Sequence, residues 1–566
     1  MRDTAGSLVM ASVASALAGC GDGFRLLDIA PSTGMEVAGA TVPLTLQVSG
    51  PLGGRGSLPV TLEIWRGTER VGTVRRKIMV PASQSATRTV TLHWTAPSAP
   101  AVAGYGIEAT IPGSGSTVST AVDIGPSWTA KPRYGFLSDF SPLDTGEQDR
   151  FAVMARYHLN VLQFYDWMPS DALYVPTGPL YGDPLGRETA TAVVRDKVDL
   201  SAAAHMAPMA YAAVYGAPVA FYNQHPTWAL FDSSGKPEEL GTNFLVLMDP
   251  SEGTPWTAYI QGQYRDLMAA LPFWGIHLDQ YGYPQTAYTA GPDPRTVDVG
   301  ATFGPFIQTT ADTVRSVRPD GYVDFNNVSN WPTDLTAPVP GNAVVYIEVW
   351  PPNVRFQDLQ TLITAGRSLG NGKAVVLAAY IPPSNGPSVL LTDAVIFASG
   401  GYHLELGEGD GMLTGPYFPD YAAMPVPLTT SLRRYYDLAV RYQDLLFAGD
   451  LVDGPTPQIH GAPQSTGEAG GVWAWSRVAP DRKLCVVHLI NLTGLADDQW
   501  ATVRQTGPTT LSNVEVEVAL PTTGALWIDP DGYDLRPQSV AVTKTAGGVT
   551  VTVPHLANWG TLVLTL

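Results

Sequence analysis

Two acids occupy matching places in two short apolar runs. One run is Trp274-Gly275-Ile276-His277-Leu278-Asp279-Gln280-Tyr281-Gly282; the other, ending Val345-Tyr346-Ile347-Glu348-Val349-Trp350, carries Glu348. Successive side chains of a strand point to opposite faces. If Ile276 and Leu278 face outward, His277 and Asp279 face inward. If Val345, Ile347 and Val349 face outward, Tyr346, Glu348 and Trp350 face inward. Two carboxyl groups meeting across one pocket suit the hydrolysis of a glycosidic bond. One must be ionised, to attack or stabilise the anomeric carbon. The other must be protonated, to help the leaving oxygen depart. Proximity itself separates the two roles, because an ionised carboxylate raises its neighbour's pKa. A separation of about 5–5.5 Å suits a retaining reaction, and about 6.5–9.5 Å an inverting one. A plainer reading makes Asp279 the cap of a following helix and pairs Glu348 with a base.

Both acids need elements that bring them together. Eight short apolar runs, at 134–140, 160–167, 206–216, 274–282, 322–329, 343–350, 374–380 and 401–407, alternate with stretches long enough for helices. This pattern predicts a central (β/α)₈ TIM barrel over 131–450, with its site at the C-terminal strand ends. A long helix from Leu428 to Ala448 is expected to close it, with Leu432, Tyr435, Tyr436, Ala439, Tyr442 and Leu446 at helical spacing. Before it, period-two runs such as Val42 to Val48, Val60 to Trp65 and Thr89 to Trp94 predict an immunoglobulin-like β-sandwich over 22–127. Ser127 to Arg133 reads as a linker. After the barrel, β texture returns and predicts a Greek-key β-sandwich over 451–566. The fold class is thus multidomain α/β plus β.

Composition narrows the chemistry. Acids exceed bases by 51 to 33, so nucleic acid is excluded as a partner, since such binding leans on Lys and Arg. The nine histidines form no zinc-type spacing, so no metal and no cofactor is expected. No Gly-x-Ser-x-Gly follows a plausible strand, and there is no P-loop. Aromatics crowd the predicted strand ends: Tyr165, Trp167, Tyr281, Tyr283, Trp331, Trp350 and Tyr380. Sugar rings have apolar faces that stack on such side chains, although each aromatic alone is equally a core residue. Of two cysteines, Cys485 lies in an apolar run and reads as a buried, inert thiol. Cys20 ends Leu17-Ala18-Gly19-Cys20 after a mildly apolar segment, and 1–21 resembles a bacterial signal or lipoprotein leader. Export is expected, with Cys20 a candidate for lipid anchoring or the leader simply cleaved. A monomer is expected.

Several segments, in order, resemble glycoside hydrolase family 66, the dextranases and cycloisomaltooligosaccharide glucanotransferases. They are Tyr134 to Phe140, Gln163-Phe164-Tyr165-Asp166-Trp167, Leu247-Met248-Asp249-Pro250, Gly275 to Gly282, Tyr346 to Trp350, Phe397 to Gly407, Tyr417-Phe418-Pro419 and Tyr435-Tyr436-Asp437. The resemblance implies Asp279 as nucleophile, Glu348 as acid/base and Asp166 as a substrate-orienting residue. Alternation fits Asp166 only if its strand has already ended or bulged, since Gln163 and Tyr165 share a face. Tyr165, Trp167, His277, Gln280, Tyr281, Trp350 and Tyr380 are the other expected substrate contacts. His403 and Glu405 are expected to alternate inward on the eighth strand and meet substrate hydroxyls, unless they form a buried network that closes the barrel. The implied activity is retaining endo-hydrolysis of α-1,6 links in dextran or isomaltooligosaccharides. The rival is the glucanotransferase, in which the chain's own non-reducing 6-hydroxyl replaces water. No spare module of about a hundred residues interrupts the predicted strands, which favours the hydrolase. A non-catalytic glucan-binding lipoprotein would have no need of Asp279 and Glu348.

Overall fold

The computed structural model describes residues 23–144 and 147–566. The leader at 1–21 and Cys20 lie outside these residues. The chain is β-rich and gathers around three hydrophobic cores.

The first core lies between two antiparallel sheets. One is built from Arg25–Pro31, Thr41–Ser49 and Thr87–Thr95; the other from Glu69–Val80, Gly56–Arg66, Ala103–Thr110 and Thr117–Ile124. Strict alternation makes this possible. Val42, Leu44, Leu46 and Val48 are fully buried while the residues between them are not.

The second core surrounds eight parallel strands: β1 (Tyr134–Leu137), β2 (Val161–Phe164), β3 (Ala207–Ala213), β4 (Gly275–Asp279), β5 (Tyr322–Val328), β6 (Asn342–Glu348), β7 (Val375–Ala378) and β8, in two pieces (Tyr402–His403 and Leu406–Gly407). Each pairs in parallel with the next. The first piece of β8 pairs with β7 and the second pairs Gly407 with Phe136 of β1, so the sheet closes on itself. A Cβ on Gly407 would meet the Phe136 carbonyl oxygen at 2.0 Å, so only glycine allows this seam. The crossovers carry α1 (Glu147–Arg156), α2 (Thr191–Ala203), α3 (Pro255–Ala270), α4 (Val299–Val317), the single turn α5 (Thr333–Thr336), α6 (Phe356–Leu369) and α7 (Gly386–Ala398), with α8 (Val426–Arg441) after β8. Helices covering a closed parallel sheet bury both strand faces, which explains the nearly continuous apolar runs in the sequence.

Two expectations change. The segment 127–133 is not a loose linker. Trp128 is buried edge-on against Tyr134 and Tyr322, and Arg133 makes a buried ion pair with Asp123. The helix expected over 428–448 breaks at Tyr442, followed by a short turn Gln443–Leu446. There Arg441 is held by Glu108 of the first sheet pair (3.0 Å), and Tyr442 donates to the Leu535 carbonyl of the third region.

The third core is again two-layered. One sheet runs through Val452–Asp453, Val472–Ala479, Leu484–Asn491, Trp559–Thr565, Gly524–Ile528 and Gln538–Val540. The other comprises Gln458–His460, Leu511–Val518, Val549–Leu556 and Val542–Lys544. Cys485 is buried inside it, and burial pushes its thiol up to about 11, as suits an inert core residue. Among the described residues, no helix is long and apolar enough to cross a membrane.

Candidate active site

The C-terminal ends of β2 to β6 and the loops beyond them enclose a cavity of about 670 Å³. Asp279 and Glu348 both line it, each the last residue of its strand. Asn326 of β5, the strand between them, ties the two together. Its Nδ2 donates to Asp279 Oδ1 (2.8 Å) and to Glu348 Oε2 (3.0 Å). The facing carboxyl oxygens therefore lie less than about 6 Å apart. Tyr211 of β3 donates to Asp279 Oδ2 (2.9 Å), and Tyr380 donates to Glu348 Oε1 (3.1 Å).

Both acids are desolvated, which disfavours their charged forms. Burial, reinforced by the Asp279 charge, pushes Glu348 up to about 7, while hydrogen bonds from Asn326, Tyr380 and Trp350 pull the other way. Burial also raises Asp279, opposed by the nearby His277 and by its bonds from Asn326 and Tyr211. Within the pair, burial and the Asp279 charge both favour a proton on Glu348.

The layer beneath supports Asp279. His277 donates from Nδ1 to Asp324 Oδ2 (2.7 Å), which also accepts from Tyr134 (3.0 Å). The His277 ring stands edge-on to Tyr346 and lies nearly parallel to Tyr211, the residue that bonds Asp279. His277 thus faces the sheet interior as alternation predicts, but it sits below the cavity lining.

Asp166 reaches the cavity because β2 has ended at Phe164. Its backbone takes φ 49°, the left-handed region that few non-glycine residues adopt, and this turns its carboxyl inward. Tyr165 lines the same wall, stacked on Phe418 with centroids 4.4 Å apart. Gln280, Tyr281 and Trp350 line the cavity too. Gln280 is spent on the backbone, donating to the carbonyls of Asn326 and Trp331 and accepting from the Gly282 N–H. The Tyr281 hydroxyl is buried against Gly216 with no partner among the described residues.

Besides His277, three further expected contacts fall away from the cavity. Trp167 is fully buried, packs on Phe273 and donates its indole N–H to the Tyr211 carbonyl, so it is core rather than a sugar platform. His403 and Glu405 have the opposite parity to that expected: they face the helices, because their partners are there. The His403 Nδ1 lies 2.7 Å from Asp393 Oδ1 on α7, and Tyr436 on α8 donates to Glu405 Oε1 (3.0 Å). His403 Nε2 donates to the Ala379 carbonyl (2.9 Å). Asp393, His403 and Glu405 bring three ligand atoms within 4.8 Å, a spacing that could hold a metal. Burial, however, pushes Asp393 up to about 8 and Glu405 well above the usual carboxyl range. The bonds to Tyr436 and to the Ala379 carbonyl tie the three into one sealed network.

Sequence reasoning missed Asn326, Tyr211 and Asp171. The first two were legible. Asp324 and Asn326 alternate along 322–329, and Met209 and Tyr211 along 206–216, just as the two acids do in their own runs. Asp171 lies in a loop with no periodic signal. It lines the cavity, and burial lifts it to about 7.

Comparison with known proteins agrees with this architecture. The model for "Glycosyl hydrolase family 66" matches residues 35–563. A cycloisomaltooligosaccharide glucanotransferase from Niallia circulans is 24% identical, with 93% of this chain and 70% of that protein covered. A dextranase from Streptococcus salivarius is 22% identical, with 68% of this chain and 55% of that protein covered. A solved cycloisomaltooligosaccharide glucanotransferase from Paenibacillus sp., in complex with cycloisomaltoheptaose, superposes with a TM-score of 0.86 at 22% identity, over 96% of this chain and 100% of that one. The chain belongs to glycosyl hydrolase family 66.

Proposed function

We propose that this protein is a retaining endo-dextranase. Asp279 attacks the anomeric carbon of an α-1,6-linked glucosyl unit while Glu348 gives its proton to the departing oxygen. The bond to the leaving sugar breaks as the Asp279–glucosyl ester forms. Glu348, now ionised, takes a proton from water as that water cleaves the ester and frees Asp279. One observation carries this reading. A single amide nitrogen holds both carboxyls, at a separation that suits direct attack and leaves less room than an inverting water needs. A proton resting on Glu348 near neutral pH supplies the acid. Asp166 and Asp171 line the cavity as hydrogen-bonding partners for sugar hydroxyls, with Tyr165, Tyr281 and Trp350 as apolar walls.

The eight-stranded closed sheet supports reading 131–450 as a (β/α)₈ barrel, with 22–127 an immunoglobulin-like and 451–566 a Greek-key sandwich. We also read 1–21 as an export leader, with Cys20 a candidate lipid site.

The names of two relatives favour the transferase as a second reading. Against it, the alignment to the Niallia circulans glucanotransferase runs over 695 positions, more than the 566 residues here. That relative therefore carries segments this chain lacks. Incubation with dextran, following reducing ends and product sizes, separates the two. A rise in reducing ends with rapid loss of polymer length is expected. Cyclic products without matching reducing ends would assign the transferase, and an intact polymer would reject the substrate.

A further inference from the structure

We propose that a cavity at the far end of the barrel, between α6 and the third region, is a second glucan-binding site built on Trp475. The cavity measures about 430 Å³ and is lined by Trp475, Arg477 and Asp453 from the C-terminal sheet, Gln360 and Arg367 from α6, and Ser399 just after α7. Arg367 stands near the end of α6, which leads to the start of β7, and Ser399 leads to the start of β8. Both positions lie at the N-terminal ends of the strands, opposite the catalytic mouth.

The lining has what a pyranose needs and what a packing defect lacks. The half-buried Trp475 indole offers an apolar face. Around it stand donors with capacity to spare. Arg367 uses one amine on the Gly400 carbonyl and Arg477 one on the Leu451 carbonyl, of five N–H groups each. Among the described residues, neither guanidinium has a carboxylate within ion-pair distance. Asp453 sits across the sheet from Arg477 and adds an acceptor. The buried Ser399 hydroxyl has no partner among the described residues. Burial depresses Arg367, and burial with the Arg367 charge depresses Arg477 to about 10, so both would gain from oxygen ligands. A neutral sugar is favoured over a bare oxyanion because the wall combines an aromatic face, an acid and an amide with the two cations.

This site rests on the glucan reading above, and it would hold polymer rather than cleave it. Trp475→Ala in the full chain is expected to weaken retardation in dextran-containing native gels by roughly three- to tenfold, the factor for one lost aromatic platform. Cleavage of short isomaltooligosaccharides should be unchanged. Trp475→Phe should restore most of the retardation, and Gln360→Ala, at a half-buried position of α6, should show a milder loss with the fold kept. Wild-type retardation in both Trp475→Ala and Gln360→Ala overturns the site and leaves the hydrolase reading intact. Dextran retardation that depends on Trp475, but without any cleavage, supports the site and rejects the hydrolase. No retardation of the wild type overturns the site. Thermal protection by inorganic phosphate that is lost in Arg367→Gln, with no effect of dextran, would reassign the cavity to an oxyanion and overturn the proposal.

Discussion

Asp279 with Glu348, and Asp393 with Glu405, are two buried carboxyl pairs around the same closed sheet, and in both burial holds the acids above their usual range. They differ in what else touches them. The first pair is held by neutral donors, Asn326, Tyr211 and Tyr380, and faces a cavity of about 670 Å³. The second is clamped by His403 and Tyr436 between α7, β8 and α8. A raised pKa therefore does not mark a catalytic acid by itself. What sets the first pair apart, on the proposed reading, is its open side together with neutral donors that position it.

The comparison breaks most sharply in activity. Glu348→Gln should lower kcat on dextran by about 10²–10⁴, the span for loss of an acid/base, and Asp279→Asn by at least as much. Asp393→Asn and Glu405→Gln should leave kcat near wild type wherever the protein is folded. A folded Asp393→Asn enzyme as slow as Glu348→Gln would erase the distinction. Stability should follow the reverse order. Asp393→Ala leaves the buried His403 Nδ1 without its partner and should cost about 1–3 kcal/mol, read as a lower unfolding midpoint. Asp279→Asn relieves a desolvated acid and should leave the midpoint unchanged or raised. An Asp279→Asn protein that melts well below Asp393→Ala would reverse the comparison.

The same contrast shows what the sequence could convey. All eight strand runs and both acids were legible, because alternation and fully buried strands leave strong local patterns. On β4 and β6, Ile276, Leu278, Val345 and Ile347 identify the outward face, so Asp279 and Glu348 follow. On β8, Tyr402, Leu404 and Leu406 are all buried and so are His403 and Glu405. Alternation there yields two equivalent faces, and only the position of Asp393 on a helix shows which is which. Trp167 was misjudged for a related reason: three residues beyond the end of β2, direction is set by the loop. Its neighbour Asp166, at φ 49°, turned inward while Trp167 turned to Phe273.

The two pairs should also respond differently to pH, with smaller effects. Asp393 has a folded-state pKa of about 8 against 3.8 for the free group. Its stabilising contribution is complete below pH 4 and is lost as pH rises through 8, because across that window the folded state binds the extra proton. The unfolding midpoint should thus fall from mildly acid to mildly alkaline pH, and Asp393→Asn should flatten the fall. An equally steep fall in that variant would place the proton elsewhere. For Glu348 the readout is rate. Its acid form is needed, so kcat/KM should decline as pH rises through about 7. Tyr380 donates to Glu348 and favours its ionised form. Tyr380→Phe removes that bond, so the alkaline limb should move to higher pH, with kcat/KM on the plateau reduced only modestly. A limb that stays in place would mean that a group other than Glu348 sets it. A limb that moves to lower pH would mean that Tyr380 favours the protonated acid, and that the proton needed for leaving-group departure is held by the tyrosine–glutamic acid pair together.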